Sequence, residues 1–234
     1  MLFGGLLKFS ALDYPGHLSA VVFTQGCNWR CPFCHNPELI PLNCSNPISN
    51  EKIFNFLKTR LGLLEGVCIT GGEPTIQNGL IDFIQEVKQL GYKVKLDTNG
   101  SHQDAVEKII YQARPDMLAM DIKTSWSGYC KATGVKLKQN FFDRFKQLVE
   151  FTEDNDVDLE LRTTVVPGLV DKEDIKKIGE WLGGTRKYVL QQFRPEVTYN
   201  PNFIGLSPYS SEQVKEMAKL AQQFFNRVIV RGVD

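Results

Sequence analysis

The sequence predicts an α/β fold built on a parallel sheet. Short apolar runs alternate with longer segments of helical spacing from Leu18 to Val230, the pattern of strands joined by helical crossovers. About six strand–helix units can be counted, fewer than the eight of a closed barrel. Polar and ionisable residues gather at the carboxyl ends of the apolar runs, where parallel α/β proteins place their ligands. An open barrel and a doubly wound sheet both satisfy this pattern.

The elements follow in order. Gly4 to Gly16 reads as a lead-in that closes on the turn signal Asp13-Tyr14-Pro15-Gly16. Leu18–Thr24 is the first strand, and Pro37–Asn50 is loop, rich in Pro, Asn and Ser. Glu51–Leu61 has helical spacing, and Gly66–Thr70 is a short strand bounded by glycine. Gly79–Leu90 is a helix with Leu80, Ile84 and Val87 on one face, Asn78 as its cap and Gly91 as its stop. Tyr92–Leu96 is a strand, Gln103–Ala113 a helix ended by Pro115, and Met117–Met120 a strand. Phe141–Phe151 is a helix, and Leu159–Val166 a strand closed by Pro167-Gly168. Asp171 caps a helix that runs to Leu182 and stops at Gly183-Gly184. Lys187–Phe193 is a strand, and Glu212–Phe225 is a helix with Ser210 and Gln213 as its capping box. Val228–Val230 is a last short strand. With no linker, repeat or low-complexity tract, residues 1–234 are expected to form a single domain.

Lysine plus arginine and aspartate plus glutamate are balanced at 27 each, so no field points to nucleic acid or an anionic membrane. No uncharged run approaches the ~18 residues of a spanning helix. Met1–Leu7 is too short for a signal-peptide core. A soluble cytoplasmic protein is expected.

The rim at the strand ends can be read residue by residue. Cys27 follows the first strand and Gly71-Gly72-Glu73-Pro74 the second. Asp97-Thr98-Asn99-Gly100 follows the third, and Asp121 and Lys123 the fourth. Arg162 and Thr164 lie in the fifth strand, and Gln191, Gln192 and Arg194 at the end of the sixth. By itself Gly71-Gly72-Glu73-Pro74 is either a tight turn with a surface glutamate or a place where backbone closely approaches a ligand.

The most informative stretch is Gly26-Cys27-Asn28-Trp29-Arg30-Cys31-Pro32-Phe33-Cys34-His35-Asn36-Pro37. Its three cysteines are spaced C-x3-C-x2-C within eight residues. In a reducing cytosol such a group is metal-binding rather than a disulfide framework. A zinc site wants a fourth ligand nearby. An iron–sulfur cubane usually takes four cysteines, so three would leave one iron open to a substrate or cofactor. Cys44, Cys68 and Cys130 are scattered, and Cys68 sits in the apolar run Val67-Cys68-Ile69 as a small core residue.

The triplet with an aromatic before its third cysteine resembles the radical S-adenosylmethionine (SAM) superfamily. Gln25-Gly26-Cys27 and Cys34-His35-Asn36-Pro37 narrow the likeness to the activating enzymes of glycyl-radical enzymes. It is strongest to those of anaerobic ribonucleoside-triphosphate reductase, and extends to those of pyruvate formate-lyase. The resemblance implies an open partial (β/α)6 barrel, the radical SAM core. It implies a [4Fe–4S] cluster on Cys27, Cys31 and Cys34. It further implies that SAM is held by Phe33, Cys34, His35, Gly72, Glu73, Asp121, Lys123 and Arg162. A monovalent cation, Na or K, would sit on Asp97, Thr98 and Asp121. Cys34 serves both cluster and cofactor, and His35 hydrogen-bonds beside the cluster rather than ligating iron. Asp13 is either a turn-former or a holder of the target peptide's backbone. Trp29 would shield the cluster.

The implied activity is reductive cleavage of SAM to a 5′-deoxyadenosyl radical that takes hydrogen from a glycine of a partner enzyme. The electron donor would be a flavodoxin or ferredoxin. One departure stands out: Phe193-Arg194 occupies the place of a Tyr-His whose histidine meets SAM, and that role does not carry over. Two rival readings remain at this stage. One is a small-molecule radical SAM enzyme similar to 7-carboxy-7-deazaguanine synthase. The other is a metal-binding module without turnover.

Overall fold

The computed structural model describes residues 1–184 and 187–233. It divides into two units. One comprises Met1–Asn28, Glu38–Ala119 and Phe151–Asp158, the other Trp29–Pro37, Met120–Glu150 and the chain from Leu159 on. Composition shows no such division, because each unit is assembled from three separate stretches of chain.

In the first unit, strands β2 (Ser19–Thr24), β3 (Gly66–Gly71) and β4 (Lys93–Thr98) are parallel and in register, Ser19 facing Gly66 and Gly66 facing Lys93. Val21, Val22, Val67, Ile69, Val94 and Leu96 are fully buried, as expected of parallel strands covered on both faces. Helix α1 (Asn50–Lys58) starts where the Ser49 side chain accepts from Lys52 N, satisfying a first-turn donor. It ends a turn earlier than Leu61. Helix α2 (Leu80–Gln89) buries Leu80, Phe83, Ile84 and Val87. Asn78 does not cap it. Gly79 stands at the cap with φ 82° and no side-chain hydrogen bond. Helix α3 (Gln103–Gln112) buries Val106, Ile109 and Ile110.

The segment read as a lead-in is in part a strand. Strand β1 (Phe3–Ser10) pairs antiparallel with β2, Phe3 against Thr24 and Leu7 against Val21. Its glycines and its run of exposed residues hide the period-two pattern that would have revealed it. Beyond it, Asp13 closes a turn: the Ser10 hydroxyl donates to its carboxylate at 2.5 Å and accepts from Leu12 N and Asp13 N at 3.1 Å.

Strand β5 (Met117–Asp121) starts in the first unit and ends in the second. Helix α5 (Phe141–Asp154) lies mostly in the second unit and runs three residues past the expected end. The second unit also holds all but the first residue of β6 (Asp158–Val165), then β7 (Tyr188–Gln192) and β8 (Val228–Arg231), parallel, with Leu161 facing Tyr188 and Tyr188 facing Val228. Helix α6 (Lys172–Leu182) opens with a full capping box, in which Asp171 accepts from Asp174 N and Asp174 accepts from Asp171 N. Helix α7 (Ser211–Ala221) has the expected box of Ser210 and Gln213 but ends four residues before Phe225. A five-residue helix α4 (Tyr129–Thr133) was not anticipated. It is too short for a periodic signal, and packing fixes it. Its fully buried Tyr129 stands against Trp29, Phe141, Phe142 and Trp181.

Candidate functional site

In the first unit the chain leaving β2 is pinned before it reaches Cys27. Gly26 N donates to Leu39 O at 2.7 Å and Cys27 N to Ile40 O at 3.0 Å. The Gln25 side-chain amide donates to Glu38 O and Pro41 O, and Gln77 Nε2 donates to Gln25 O. The turn after β3 lies directly on this exit. Gly72 N donates to Thr24 O and Glu73 N to Gly26 O, both at 2.8 Å. A Cβ on Gly72 would fall 2.0 Å from Gly26 O. Glycine is therefore required here for backbone to meet backbone, a reason additional to the approach of a ligand.

Glu73 is 1% exposed. Its Oε1 accepts from Thr75 N at 3.1 Å, the Thr75 hydroxyl at 2.5 Å and the Thr98 hydroxyl at 2.6 Å. Its Oε2 accepts from Asn99 N at 2.7 Å. Burial pushes its carboxyl up, and these four hydrogen bonds draw it part of the way back. Asn99 then donates through Nδ2 to Asn28 Oδ1, and Asn28 donates through Nδ2 to Ser101 Oγ at 2.7 Å. One polar network thus joins the ends of β2, β3 and β4. The sequence places Asn99 on the rim without a role, and gives Thr75, Asn28 and Ser101 none. Their signal is faint: short polar residues within three positions of Cys27, Glu73 and Thr98. Asp97, next to Thr98 on β4, is paired with the buried ammonium of Lys95.

In the second unit the loop carrying Cys31 and Cys34 is anchored at several points. Trp29 is 3% exposed and lies edge-on to Tyr129 at 5.9 Å. Arg30 N donates to Thr133 O, Cys34 N to Cys31 O and Asn200 N to Pro32 O. Phe33 is buried beneath the Lys123 ammonium, 5.9 Å from its ring centroid. His35 stacks on Phe193 and bonds through Nε2 to Arg194 O at 2.9 Å. A carbonyl only accepts, so Nε2 carries the proton. Burial lowers the imidazole's pKa, and the hydrogen bond to Arg194 O raises it part of the way back. It is the carbonyl of Arg194, not its side chain, that enters this arrangement.

Asp121, the last residue of β5, takes Lys123 Nζ at 2.9 Å on one oxygen. It takes Arg162 Nε at 3.0 Å and Nη2 at 2.9 Å on the other. Burial pushes the Asp121 carboxyl up, but the charges of Arg162 and Lys123 reverse this and hold it well below the usual carboxylate range. For Lys123, burial works against the charge, while Asp121 and Cys31 raise the ammonium well above its ordinary value. A cation beside Cys31 is the environment that favours a thiolate.

Residues 21–182 match the model of the radical SAM superfamily. The chain belongs to that superfamily. A protein of Methanocaldococcus jannaschii named "Putative glycyl-radical enzyme activating enzyme MJ1227" is 32% identical over all of this chain and 97% of its own length. The pyruvate formate-lyase-activating enzyme of Clostridium pasteurianum is 31% identical over 82% of this chain and 80% of its own. These likenesses place this radical SAM enzyme among the glycyl-radical enzyme activating enzymes. Among solved structures, Streptococcus suis SuiB bound to the precursor peptide SuiA shares the fold with a TM-score of 0.68 and 16% identity. That likeness covers 89% of this chain and 47% of SuiB, so the chain spans about half of SuiB's length.

The family uses SAM and a [4Fe–4S] cluster, and the donor set fits the cluster. Cys27, Cys31 and Cys34 form no disulfide. Among the described residues no three His, Cys, Asp or Glu side chains gather round a single-ion site. A cubane spreads its thiolates over separate corners and does not ask for that convergence. The cation expected on Asp97, Thr98 and Asp121 fits poorly, because all three side chains are already held by groups of the chain itself. Among the described residues no helix is long and apolar enough to cross a membrane.

Proposed function

We propose that this chain is an activase that cleaves SAM and removes a hydrogen atom from a glycine of a partner protein. The partner we favour is anaerobic ribonucleoside-triphosphate reductase, on the likeness carried by Gln25-Gly26-Cys27 and Cys34-His35-Asn36-Pro37. A flavodoxin or ferredoxin supplies the electron, and the setting is the cytoplasm. The observation that carries the reading is the tie between the cysteine loop and the turn after β3, Glu73 N to Gly26 O. It fixes the exit of Cys27 against the segment expected to hold SAM. A protein substrate is supported by the names of the relatives and by SuiB, a protein of this fold described as bound to a peptide.

Cys27, Cys31 and Cys34 would hold the cluster through their thiolates. When bound, the cluster and SAM together supply an electron to the sulfonium and a carbon radical able to abstract hydrogen. The chain's own residues position and shield. Gly72 offers backbone at the strand end, and Glu73 keeps that backbone in place through Thr75, Thr98 and Asn99. Lys123 and Arg162 share a single carboxylate, Asp121. A guanidinium and an ammonium at one strand end suit the carboxylate of a bound amino acid moiety. Phe33 and His35 flank Cys34, where the resemblance sets the purine.

The test is anaerobic. The protein is reconstituted with iron and sulfide, reduced, given SAM, and assayed for 5′-deoxyadenosine, with Cys34→Ser as control. Product from the native protein and a loss of at least about 100-fold in the variant, with its circular dichroism unchanged, is the expected outcome. Equal turnover by Cys34→Ser would overturn the cluster assignment. A glycyl signal in electron paramagnetic resonance on adding the reductase, and not with other glycyl-radical enzymes, would identify the partner.

A further inference from the structure

Lys95 is 1% exposed, and a lysine so deeply buried needs a reason. It lies on β4 two residues before Asp97, so both side chains leave the same face of the strand. Its ammonium pairs with the Asp97 carboxylate, which is itself only 13% exposed. It also lies 3.8 Å from Cys68 Sγ of the neighbouring strand, where Cys68 faces Lys95 in register. The ammonium is thus seated by one carboxylate and one thiol in the interior of the first unit.

The oxygens that a sodium or potassium ion would want are already engaged. Thr98 donates its hydroxyl proton to Glu73 and accepts from Gly100 N. Asp97 faces a fixed unit positive charge. Asp121, in the second unit, carries two cations on one carboxylate. Charge bears on the matter: Asp97 already faces one ammonium, and Asp121 already faces an ammonium and a guanidinium. A further cation would gain little from the carboxylate of the Asp97–Lys95 pair, and at Asp121 it would have to approach two cations already in place.

We propose that the Lys95 ammonium is a built-in monovalent cation for Asp97, and that this enzyme works without a bound sodium or potassium ion. The inference rests on the reading of the β4 end as part of the SAM site, but its test is independent of SAM. A lysine on the strand does what a soluble ion would do. It neutralises Asp97 and fixes its orientation, and it cannot be washed out.

The experiment measures thermal unfolding of the reconstituted protein in choline chloride, then in potassium or sodium chloride at the same ionic strength. The native protein is expected to keep its Tm within about 1 °C in all three salts. Lys95→Met leaves Asp97 without its cation, and is expected to melt lower in choline and to recover by at least about 3 °C in saturating potassium or sodium. Lys95→Met/Asp97→Asn removes both charges and is expected to be indifferent to the salt again. It also serves as the readable variant if Lys95→Met does not fold. The inference is overturned by a saturable rise in the native Tm in potassium or sodium over choline. It is equally overturned by a folded Lys95→Met as stable and as salt-blind as the native chain, or by a double variant that still responds to one ion. Loss of 5′-deoxyadenosine formation with a salt-blind native Tm would count against the SAM reading and leave Lys95 as inferred.

Discussion

Two acids, one buried and one partly exposed, show how neighbours set the role of a side chain. Glu73 is ringed by neutral donors, and burial keeps its proton affinity high. Asp121 meets Lys123 and Arg162, and against its partial desolvation their charges hold its carboxyl low. Asp121 titrates below its unfolded value of 3.8, so between the two values the unfolded chain binds the extra proton. Its stabilising effect is therefore complete above about pH 5 and is lost progressively below about pH 4. Asp121→Asn is expected to be less stable than the native protein at pH 7, by urea unfolding, and the gap should narrow as pH falls from 6 to 3. A gap that widens on acidification would mean that Lys123 and Arg162 do not hold the carboxylate as described. The same contrast bears on function. On the proposed reading, Glu73, with both oxygens engaged, serves a ligand through the backbone it orders, whereas the cations round Asp121 serve it directly.

At the scale of elements, the turn after β3 is decided by contact between two stretches of backbone. A Cβ on Gly72 would lie 2.0 Å from Gly26 O and 2.9 Å from Leu39 O. Neither atom is the end of a flexible side chain, so the turn itself has to move. Gly72→Ala is expected to cost at least about 2 kcal/mol of stability, as strained or overpacked sites do. It should also cut retained iron per chain several-fold after reconstitution, since the displaced turn takes the exit of Cys27 with it. Full iron loading with unchanged stability would show that the two stretches are free to separate. Elements of this kind were unevenly legible. The parallel strands and the helices α2, α3 and α6 announce themselves, because burial on both sheet faces or on one helix face imposes a period on ten or so residues. The cysteine spacing is legible because it reflects ligand chemistry and not packing. Strand β1 and helix α4 are not, since pairing with β2 and the seating of Tyr129 define them and neither leaves a local pattern. The partners of Glu73 stayed hidden for the same reason: Thr98 and Asn99 lie 25 and 26 residues away in the chain. Asp97 was legible as a strand-end acid, but the lysine that neutralises it reads as a solvated strand residue until its burial is known.

For the whole molecule, the decisive quantity is charge. Its 27 basic and 27 acidic residues cancel, leaving no net field to draw in a partner from a distance. Recognition of a protein substrate must then depend on short-range fit at the docking face. An encounter governed by long-range steering slows by 10-fold or more as salt is raised, while an unsteered one barely responds. Raising choline chloride from about 50 to about 300 mM shortens the screening length from roughly 14 to roughly 6 Å. The initial rate of glycyl-radical formation on the partner, at partner concentrations below saturation, is expected to change by less than about threefold over this range. Choline keeps the test free of any specific effect of potassium or sodium. A fall of 10-fold or more would locate the recognition energy in a concentrated charge patch on one face, which a balanced total conceals.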